Sequence, residues 1–533
     1  MRVQKENKAV WLLAVCALFV SCSSVVFNSL WSDNGDYIFL YNRLFQIYDC
    51  LRNGYFPFIY YEDVGGIGYG SPIFYGQLTL VPFLLFVASI DAFVKAYSLC
   101  SLLLNFFGFR FFLKRVSDHA TLVACFYITS MPFLGLYNGS LPANCFAVGI
   151  SWFFLGYCID FFRDGRNGVF VTLTYFLVWQ SNFNTTVICT LVCFALFVVY
   201  FRRSHFWGYV KLLLGTLVVV SYDIVNMLVH IDALRFADAE TVLSRMSQPH
   251  DIKVFSIHPF GGYLYRGSSP SIDYCNGFMT FGVLAVFVYC LIKGFGQESL
   301  RFRVCSVLIG VVAVVGYVIG TYDIWRAVYK ATDIFFQFPV RYYIYIFGFV
   351  LAVFARVVRP QWFVYVALVL CLFDIAVAKP FHPSPDYSKE YWYWQIGNYE
   401  YASDSFVRSN DVYHDYSSGI HSYSGVHYSS GRSYNVVFVD CSSNPGRDII
   451  TLPKLYYKGY RAVGENGERF VVSSGFSNYC EINLGNYTGK LYLTYRVPPV
   501  VLFFFLLQIA CVSSMLYYIV KWRLVAFESA KRK

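Results

Sequence analysis

The sequence predicts an α-helical polytopic membrane protein of about twelve transmembrane helices, with juxtamembrane or re-entrant helices and a small extracytoplasmic β-sandwich-like domain. Two observations support the helical part. The chain is 57% hydrophobic and only 14% charged, and its repeated apolar runs are long enough to cross a bilayer. A third observation, a stretch of short alternating strands between the last two runs, predicts the β-domain. The lipid bilayer is therefore the expected environment of most of the chain.

The net charge of +10 does not indicate a nucleic-acid-binding protein. The basic residues stand in short clusters between apolar runs, which is typical of topology determinants. Most of the 16 cysteines lie within apolar runs, where they behave as small hydrophobic residues, and no Cys-x-x-Cys pair suggests a metal site. We therefore expect no nucleic-acid partner, and the pattern identifies no metal ligands.

Hydropathy gives about thirteen candidate spans. They lie near residues 9–30, 73–90, 94–113, 119–137, 145–162, 168–181, 185–201, 209–229, 277–293, 304–320, 340–357, 361–378 and 499–520. If all of them cross, the basic clusters between runs lie opposite the basic N-terminus, against the positive-inside rule. If the second run is instead a juxtamembrane or re-entrant helix, these clusters and both termini become cytoplasmic. We therefore predict about twelve crossings.

This topology defines the domains. The outer segments are 31–92, 231–275, 322–339 and 380–497. The first predicted domain, residues 1–379, is a transmembrane domain whose outer loop 31–92 carries an acidic motif. The second, residues 380–497, is a β-rich extracytoplasmic domain. The third part, residues 498–533, is a last transmembrane helix with a basic cytoplasmic tail.

The β-domain is predicted from the stretches YNVVFVD, ERFVVSS and KLYLTYR, which are separated by Gly, Ser and Asn turns. It contains Cys441 and Cys480. In an oxidising compartment these two residues are either a disulfide or a pair of free, buried thiols.

Two carboxylates, Asp33 and Asp36, directly follow the first apolar run. At the membrane interface a carboxylate avoids the penalty of burial in hydrocarbon and is free to act as a base. The alternative reading is structural. Ser32 or Asp33 would cap a helix that begins near Asp36, and acidic residues favour the first turn of a helix.

The helix after these carboxylates is predicted to be amphipathic and to lie along the membrane surface, with Arg43 and Asp49 away from its apolar face. The apolar residues at helical spacing are Ile38, Leu44, Ile47 and Leu51. A Gly-rich, aromatic segment follows, and we expect it to shape a pocket open to lipid and water. Its candidate binding residues are Glu62, Asp63 and Tyr69.

Three motifs resemble those of known bacterial families. The first loop resembles that of multispanning proteins named after a 6-pyruvoyl-tetrahydropterin-synthase-related membrane domain, through Asp36, Phe39, Arg43, Gly54, Pro57, Gly68, Tyr69, Gly70, Pro72, Phe74 and Tyr75. Leu40 stands where that pattern usually has His. A later segment matches the same family through Trp325, Gln337, Phe338, Pro339 and Arg341. The β-domain is similar to that of the related YfhO-like proteins through Tyr456, Tyr457, Gly459, Tyr460 and Ala462.

The resemblance implies a membrane glycosyltransferase of the GT-C superfamily, located in the bacterial inner membrane. Such an enzyme transfers a sugar from a polyprenyl-phosphate donor to a cell-envelope glycan, glycolipid or protein on the extracytoplasmic side. Asp36, or else Asp33, would take the proton of the acceptor hydroxyl. Arg341 and Arg326 would hold the phosphate of the departing lipid, with Arg43 as an orienting partner. Arg341 is equally explained as an interfacial residue and Arg326 as a solvated loop charge.

Two segments depart from the family pattern. NGSLPANC replaces an Arg-Gly-Ala-Leu-x-Glu element, and QSNFN, with Ser181 and Asn182, replaces a Ser-His element. No cofactor is therefore assigned, and whether the protein binds a divalent cation stays open. Two other function classes also stay open. One is a transporter or flippase of lipid-linked saccharides, and the other is a non-catalytic envelope-assembly protein with the same fold.

Overall fold

The structure is a computed structural model that describes residues 8–26, 35–61, 68, 70–74, 76–117, 119–130, 133, 142–231, 303, 307, 343–357, 420–475 and 478–531. Its helices are α1 (Lys8–Val26), α2 (Gly35–Arg52), α3 (Ser71–Phe74), α4 (Ile90–Leu113), α5 (Ala120–Thr129), α6 (Pro142–Asp164), α7 (Gly168–Ser181), α8 (Phe183–Tyr200), α9 (Phe206–Val229), α10 (Tyr343–Val357) and α11 (Pro499–Lys531). Short 3₁₀ helices occupy Val81–Phe86 and Arg203–His205.

The strands all lie in the C-terminal part of the chain. They are β1 (His421–Ser422), β2 (Ser429–Ser433), β3 (Val436–Asp440), β4 (Asp448–Leu455), β5 (Tyr460–Gly464), β6 (Arg469–Phe470), β7 (Val472–Ser474), β8 (Tyr479–Gly485) and β9 (Lys490–Tyr495). The predicted β-domain between the last two apolar runs is therefore confirmed, and each of the three strand-like stretches contains at least one strand.

Five of the described helices are long and apolar enough to cross a membrane, namely α4, α6, α8, α9 and α11. Shorter apolar helices occur at α1, α5, α7 and α10. The chain is thus a mostly helical membrane protein with a separate β-domain, as predicted. The candidate spans near 277–293 and 361–378 lie outside the described residues, as does almost all of 304–320.

The apolar run at 73–90 is not a single membrane-crossing helix. It contains the end of the four-residue helix α3 and the six-residue 3₁₀ helix Val81–Phe86. Six 3₁₀ residues rise only about 12 Å, whereas the hydrocarbon core of a bilayer is about 30 Å thick. The run ends at Ser89, whose hydroxyl accepts a hydrogen bond from the Ala92 amide and caps α4. The described part of this run thus holds no single helix long enough to cross, and that the run does not cross stays a prediction.

The helical core belongs to one compact unit, made of residues 1–37, 88–213 and 238–385. Helices α4 and α6 approach closely in it because glycines face each other. A Cβ on Gly149 would lie 2.7 Å from the Leu104 Cβ, and a Cβ on Gly108 would overlap the Gly149 carbonyl oxygen. Small residues allow this close approach of two membrane helices.

Buried polar side chains connect the helices of this unit. Trp152 of α6 donates from Nε1 to the Tyr127 hydroxyl of α5 (3.1 Å), and Tyr127 donates to Asn105 Oδ1 of α4 (3.3 Å). At the C-terminal ends of α4 and α6, Arg115 forms a salt bridge of 2.6 Å with Asp160. Such pairing is expected where water is scarce, because an unpaired buried polar group costs several kcal/mol.

The second compact unit contains residues 38–87, 214–237 and 386–533. Its β-domain has two antiparallel sheets, with strand orders β1-β4-β8-β7 and β2-β3-β9-β5-β6. Alternate residues of both sheets point into a shared core, which is typical of a sandwich. The most buried members of this core include Val439, Ile450, Leu452, Ile482 and Leu491, all at 0% exposure.

Asp448, the first residue of β4, forms hydrogen bonds with the segment 422–428 at the start of the described β-domain. Its Oδ2 accepts hydrogen bonds from the hydroxyls of Ser422 (2.5 Å), Ser424 (2.6 Å) and Tyr428 (2.6 Å), and its Oδ1 accepts from the backbone amides of Ser424 and Ile449. Burial alone would raise the pKa of this carboxyl, but the hydrogen bonds outweigh burial and lower the pKa to about 2.

We expect Gly149→Ala to lower the thermal unfolding midpoint of the detergent-solubilised protein. The added methyl group overlaps α4 and should cost about 1 to 3 kcal/mol. Gly208→Ala is the matched control, since a Cβ there meets only ordinary contacts with Phe161 at 3.7 Å or more, and alanine favours the helix. Equal midpoints for the two variants would contradict the close packing of α4 and α6.

We expect Asp448→Asn to destabilise the β-domain by about 2 kcal/mol at neutral pH. Because the pKa of Asp448 is lowered in the folded state, its contribution is present above about pH 4 and is lost as pH falls towards 2. The difference between wild type and variant should therefore shrink over that interval in urea unfolding followed by tyrosine fluorescence. Glu468→Gln, which removes an exposed carboxylate of the same domain, is the control for the loss of one negative charge.

Candidate functional site

Helix α2 has a partly polar buried face. Leu44 and Ile47 are buried as predicted, but Arg43 is only 3% exposed and Gln46 only 1%, whereas Leu51 is 47% exposed. The prediction that Arg43 lies away from the buried face is therefore wrong. The buried arc extends beyond the apolar residues because the following loop covers this side of the helix, and Leu51 is left exposed in the last turn of α2.

Arg43 connects α2 to the chain that follows α3. Its Nη2 donates to the Gly76 carbonyl oxygen at 2.7 Å, and its guanidinium carbon lies 5.6 Å from the centre of the Phe39 ring. A buried cation needs such partners to offset its lost hydration. The structure thus places the Arg43 side chain in the interior, on the helix that also contains Asp36.

Two further polar atoms of this loop are buried without a described partner. They are Gln46 Oε1 and Ser71 Oγ, and Ser71 is 0% exposed. Most buried polar groups in proteins are hydrogen-bonded to protein or to ordered water. These two atoms therefore have hydrogen-bonding capacity left for water or a ligand.

The glycine-rich motif of the first loop packs against the tyrosine-rich motif of the β-domain. The Gly70 amide donates to the Tyr457 hydroxyl at 2.9 Å, across 387 residues of sequence. A Cβ on Gly70 would lie 2.5 Å from Tyr457 Cε1, so no side chain fits there. Gly68 has a φ of +84° and lies near the Tyr460 hydroxyl, and such a φ favours glycine. Two motifs far apart in sequence therefore form one contact.

A buried lysine makes a second connection between the same two segments. Lys454 of β4 is 3% exposed, and its Nζ donates to the Tyr61 carbonyl oxygen at 2.9 Å. The β-domain therefore holds the first loop at Tyr61 and again at Gly70. Burial, with the nearby Cys50 and Tyr55, raises the pKa of the Tyr61 phenol well above its ordinary value, so Tyr61 is neutral at physiological pH.

His230, directly after α9, contacts the loop between β4 and β5. Its Nδ1 lies 2.9 Å from the Asn226 carbonyl oxygen and its Nε2 lies 3.0 Å from the Lys458 carbonyl oxygen. A neutral imidazole has one N–H and donates to one of these oxygens at a time. Burial lowers the pKa of His230, although both carbonyls favour the protonated ring. His230 thus contacts the backbone of the loop that contains Tyr457.

The segment 55–61 packs in two directions through its aromatic residues. Its tyrosines contact the β2–β3 hairpin, where the Tyr434 ring lies 5.1 Å from Tyr55 and 5.3 Å from Tyr61. Its phenylalanines contact the membrane helices of the same unit, where Phe505 of α11 lies 4.6 Å from Phe56 and 5.2 Å from Phe58. Tyrosine thus faces the β-domain and phenylalanine the apolar helices, as their polarity favours.

The predicted site residues are only partly described. Asp36 lies in the first turn of α2, and the structure describes its backbone but not its side chain. The other predicted polar residues lie outside the described residues, namely Asp33, Glu62, Asp63, Tyr69, Arg326 and Arg341. Cys441 and Cys480 are both buried free thiols, which is the second of the two alternatives for this pair. Cys480 lies on β8, whereas Cys441 follows β3 in the other sheet.

The two segments that depart from the family pattern meet in the helical unit. Thr185 Oγ1 donates to Asn144 Oδ1 at 2.9 Å, and Asn182 caps α8 by accepting from the Thr185 amide at 3.0 Å. Neutral side chains thus form this contact. Within the described parts of the chain no group of three or more His, Cys, Asp or Glu side chains is placed to hold a metal ion.

Comparison with known proteins gives one structural likeness. No protein-family model matches the chain, and no curated protein matches it. Among solved structures, the arabinofuranosyltransferase AftD from mycobacteria, determined by single-particle cryo-EM, is similar with 12% identity and a TM-score of 0.41. The match covers 69% of this chain and 26% of AftD. The chain thus spans about a quarter of the length of the solved structure that it matches.

We expect Tyr457→Phe to weaken the contact between the first loop and the β-domain. The substitution leaves the Gly70 amide buried without its acceptor, which should cost about 1 to 3 kcal/mol. The Gly70 amide should then exchange with deuterium faster than in wild type. Tyr492→Phe is the matched control, because Tyr492 is 37% exposed. Unchanged exchange at Gly70 in Tyr457→Phe would contradict this assignment.

Proposed function

We propose that the protein is a membrane glycosyltransferase. It would transfer a sugar from a polyprenyl-phosphate donor to a cell-envelope glycan, glycolipid or protein on the extracytoplasmic side of the bacterial inner membrane. Both termini would be cytoplasmic and the β-domain extracytoplasmic. The proposal rests on the motifs that resemble those of GT-C-type proteins. Its structural support comes from the contacts of the first loop, which contains most of these motif residues.

The observation that supports it best is the contact between Tyr457 and Gly70. This contact joins the glycine motif of the first loop to the tyrosine motif of the β-domain, which lie 387 residues apart in sequence. Lys454 adds a second connection at Tyr61, next to the acidic segment. A first loop fixed by a folded domain meets a general requirement of catalysis, because reacting groups must be held within a fraction of an ångström.

In this proposal Asp36 is the general base. Its place in the first turn of α2 suits that role, because the positive end of the helix macrodipole stabilises a carboxylate and keeps it ionised at neutral pH. The ionised carboxylate takes the proton of the acceptor hydroxyl while that oxygen attacks the anomeric carbon of the donor. Asp33 is the alternative base. Arg43 fixes the orientation of α2 from its buried side.

The leaving group of the reaction is a polyprenyl phosphate, which needs cations to stabilise its negative charge. Arg326 and Arg341 are proposed for this role because guanidinium binds phosphate through two parallel hydrogen bonds. Glu62, Asp63 and Tyr69 are proposed to contact the sugar or the acceptor. Gln46 and Ser71 add polar atoms with hydrogen-bonding capacity left in the same loop.

The test is an Asp36→Asn variant in cells from which the chromosomal gene has been deleted. We expect the deletion to remove one sugar from the envelope glycans, as measured by mass spectrometry, and wild-type protein to restore it. Asp36→Asn should fail to restore it although its membrane level is normal, because the amide cannot accept the proton.

Asp49→Asn is the matched control, since it removes the same charge from the same helix, and it should restore the sugar as wild type does. If Asp36→Asn also restores the sugar, Asp36 is not the base, and Asp33→Asn is tested next. Failure of Asp33→Asn would identify the alternative base, whereas restoration by both variants would favour a non-catalytic assembly role. If the deletion changes no envelope glycan, the transferase proposal is wrong.

A further inference from the structure

Two turns meet at one end of the helical unit, where α6 is joined to α7 and α8 is joined to α9. The first turn comprises residues 165–167 and the second comprises residues 201–205. The turns are in contact, because a Cβ on Gly165 would lie 3.6 Å from His205 Cε1. Both turns contain exposed arginines, namely Arg166 in the first and Arg202 and Arg203 in the second. We call these three residues the arginine cluster.

The second turn is held in place by contacts with the start of α9. The Arg202 amide donates to the Tyr209 hydroxyl at 3.2 Å, and the His205 amide donates to the Arg202 carbonyl oxygen at 3.0 Å. The Tyr209 ring is buried, and its centre lies 6.0 Å from that of Phe161 and 5.7 Å from that of Phe201. A backbone that is already ordered lowers the entropic cost of binding a ligand.

The carboxylates at this end of the unit are already paired, whereas the arginine cluster is not. Asp160 forms a salt bridge with Arg115 at 2.6 Å. Asp164 forms one with Arg163 at 3.0 Å. No Asp or Glu follows Asp164 in the sequence until Asp223, and residues 160–211 carry five Arg or Lys against two Asp. Within the described residues no member of the cluster forms a salt bridge, so a positive charge is left there for an anionic partner.

The arginine cluster borders an apolar surface. Phe206 and Trp207, the first two residues of α9, are 51% and 71% exposed. The exposed apolar side chains of α8 are Leu191, Phe194 and Val198. Both helices are long and apolar enough to cross a membrane, so the turn between them lies at a bilayer surface, where tryptophan is enriched. A partner that fits both features has an anionic group joined to apolar chains.

We propose that the arginine cluster binds the headgroup of an anionic phospholipid such as phosphatidylglycerol. The guanidinium groups bind the phosphate through charge-assisted hydrogen bonds, and the apolar side chains of α8 and α9 pack against the acyl chains. A zwitterionic phospholipid binds more weakly because its ammonium group offsets the phosphate charge. A soluble nucleotide or acidic peptide would leave the apolar surface uncovered.

This site goes beyond the role of basic residues in topology. Arg166 and the pair Arg202–Arg203 each mark a helix end in the sequence, and any such residue contributes to the orientation of a span. The contact between the two turns is a property of the fold, and it places the charges of both in one region. The site is separate from the transferase chemistry, since it uses none of the residues proposed for catalysis or substrate binding.

The experiment measures lipid binding by the full chain, purified in detergent, with native mass spectrometry. The probes are phosphatidylglycerol and phosphatidylcholine with the same acyl chains. We expect wild type to bind phosphatidylglycerol about tenfold more tightly than phosphatidylcholine, because the cluster attracts net negative charge. Arg202→Gln combined with Arg203→Gln should lower the affinity for phosphatidylglycerol by about tenfold and leave the affinity for phosphatidylcholine nearly unchanged.

The matched control is Arg461→Gln combined with Arg469→Gln, which removes two exposed arginines from the β-domain. It should leave the affinity for phosphatidylglycerol unchanged. Arg202→Lys combined with Arg203→Lys keeps both charges and should retain most of the affinity. An excess of inorganic phosphate should not displace phosphatidylglycerol, because phosphate lacks acyl chains. Thermal unfolding midpoints verify that each variant is folded.

Four results would overturn the proposal. One is equal affinity of wild type for phosphatidylglycerol and phosphatidylcholine. A second is phosphatidylglycerol binding of wild-type strength by the double glutamine variant of the cluster. A third is an equal loss of affinity in the β-domain control, which would mean that binding follows the net charge of the chain alone. A fourth is displacement of phosphatidylglycerol by inorganic phosphate, which would make the cluster a site for soluble anions.

Discussion

The hydrogen bond from the Gly70 amide to the Tyr457 hydroxyl is the interaction on which the first loop depends. A buried amide must find an acceptor, and the acceptor here comes from a loop of the β-domain 387 residues away. Both partners are constrained. Gly70 has no room for a Cβ, because the Tyr457 ring occupies that space. His230 in turn holds the Lys458 carbonyl next to this tyrosine. The loop is therefore shaped by tertiary contacts more than by its own sequence.

Local pattern predicted much of the fold. The helices follow the apolar runs, and the strands follow the alternating stretches, because burial in lipid and burial in a sandwich core each impose their own period. The distribution of basic residues predicts that the run at 73–90 does not cross, and the described residues of this run form only short helices before α4 begins.

The site was less predictable, for a physical reason. The burial of Arg43 depends on a carbonyl 33 residues later in the chain, and the burial of Lys454 depends on one 393 residues earlier. No periodicity encodes such partners. Both the tyrosine motif of the β-domain and the glycine motif of the first loop were visible in the sequence, but their contact was not, because nothing in a glycine's own sequence context shows that it accommodates a distant ring. Charged residues in a sequence are read as exposed by default, and these two are exceptions.

Inside the helical unit, polar contacts are mostly neutral. Asn144, in the segment NGSLPANC, and Thr185, directly after QSNFN, form a neutral pair. In a membrane interior a neutral pair satisfies hydrogen-bonding groups without the larger desolvation penalty of ions. Under the proposed function, the charges of the transferase chemistry would therefore come from other residues, namely those proposed in the first loop and Arg326 and Arg341.

The long-range contacts also impose an order of assembly. The first loop is synthesised well before Lys454 of β4 and Tyr457 of the loop that follows β4, which contact its backbone. Contacts of such high sequence separation form late, because closing the intervening chain is entropically costly. The helices can insert as they emerge, but segment 38–87 cannot reach its final shape until the β-domain has folded. Under the proposed function, this dependence would keep the first-loop site inactive until the β-domain has been synthesised and folded.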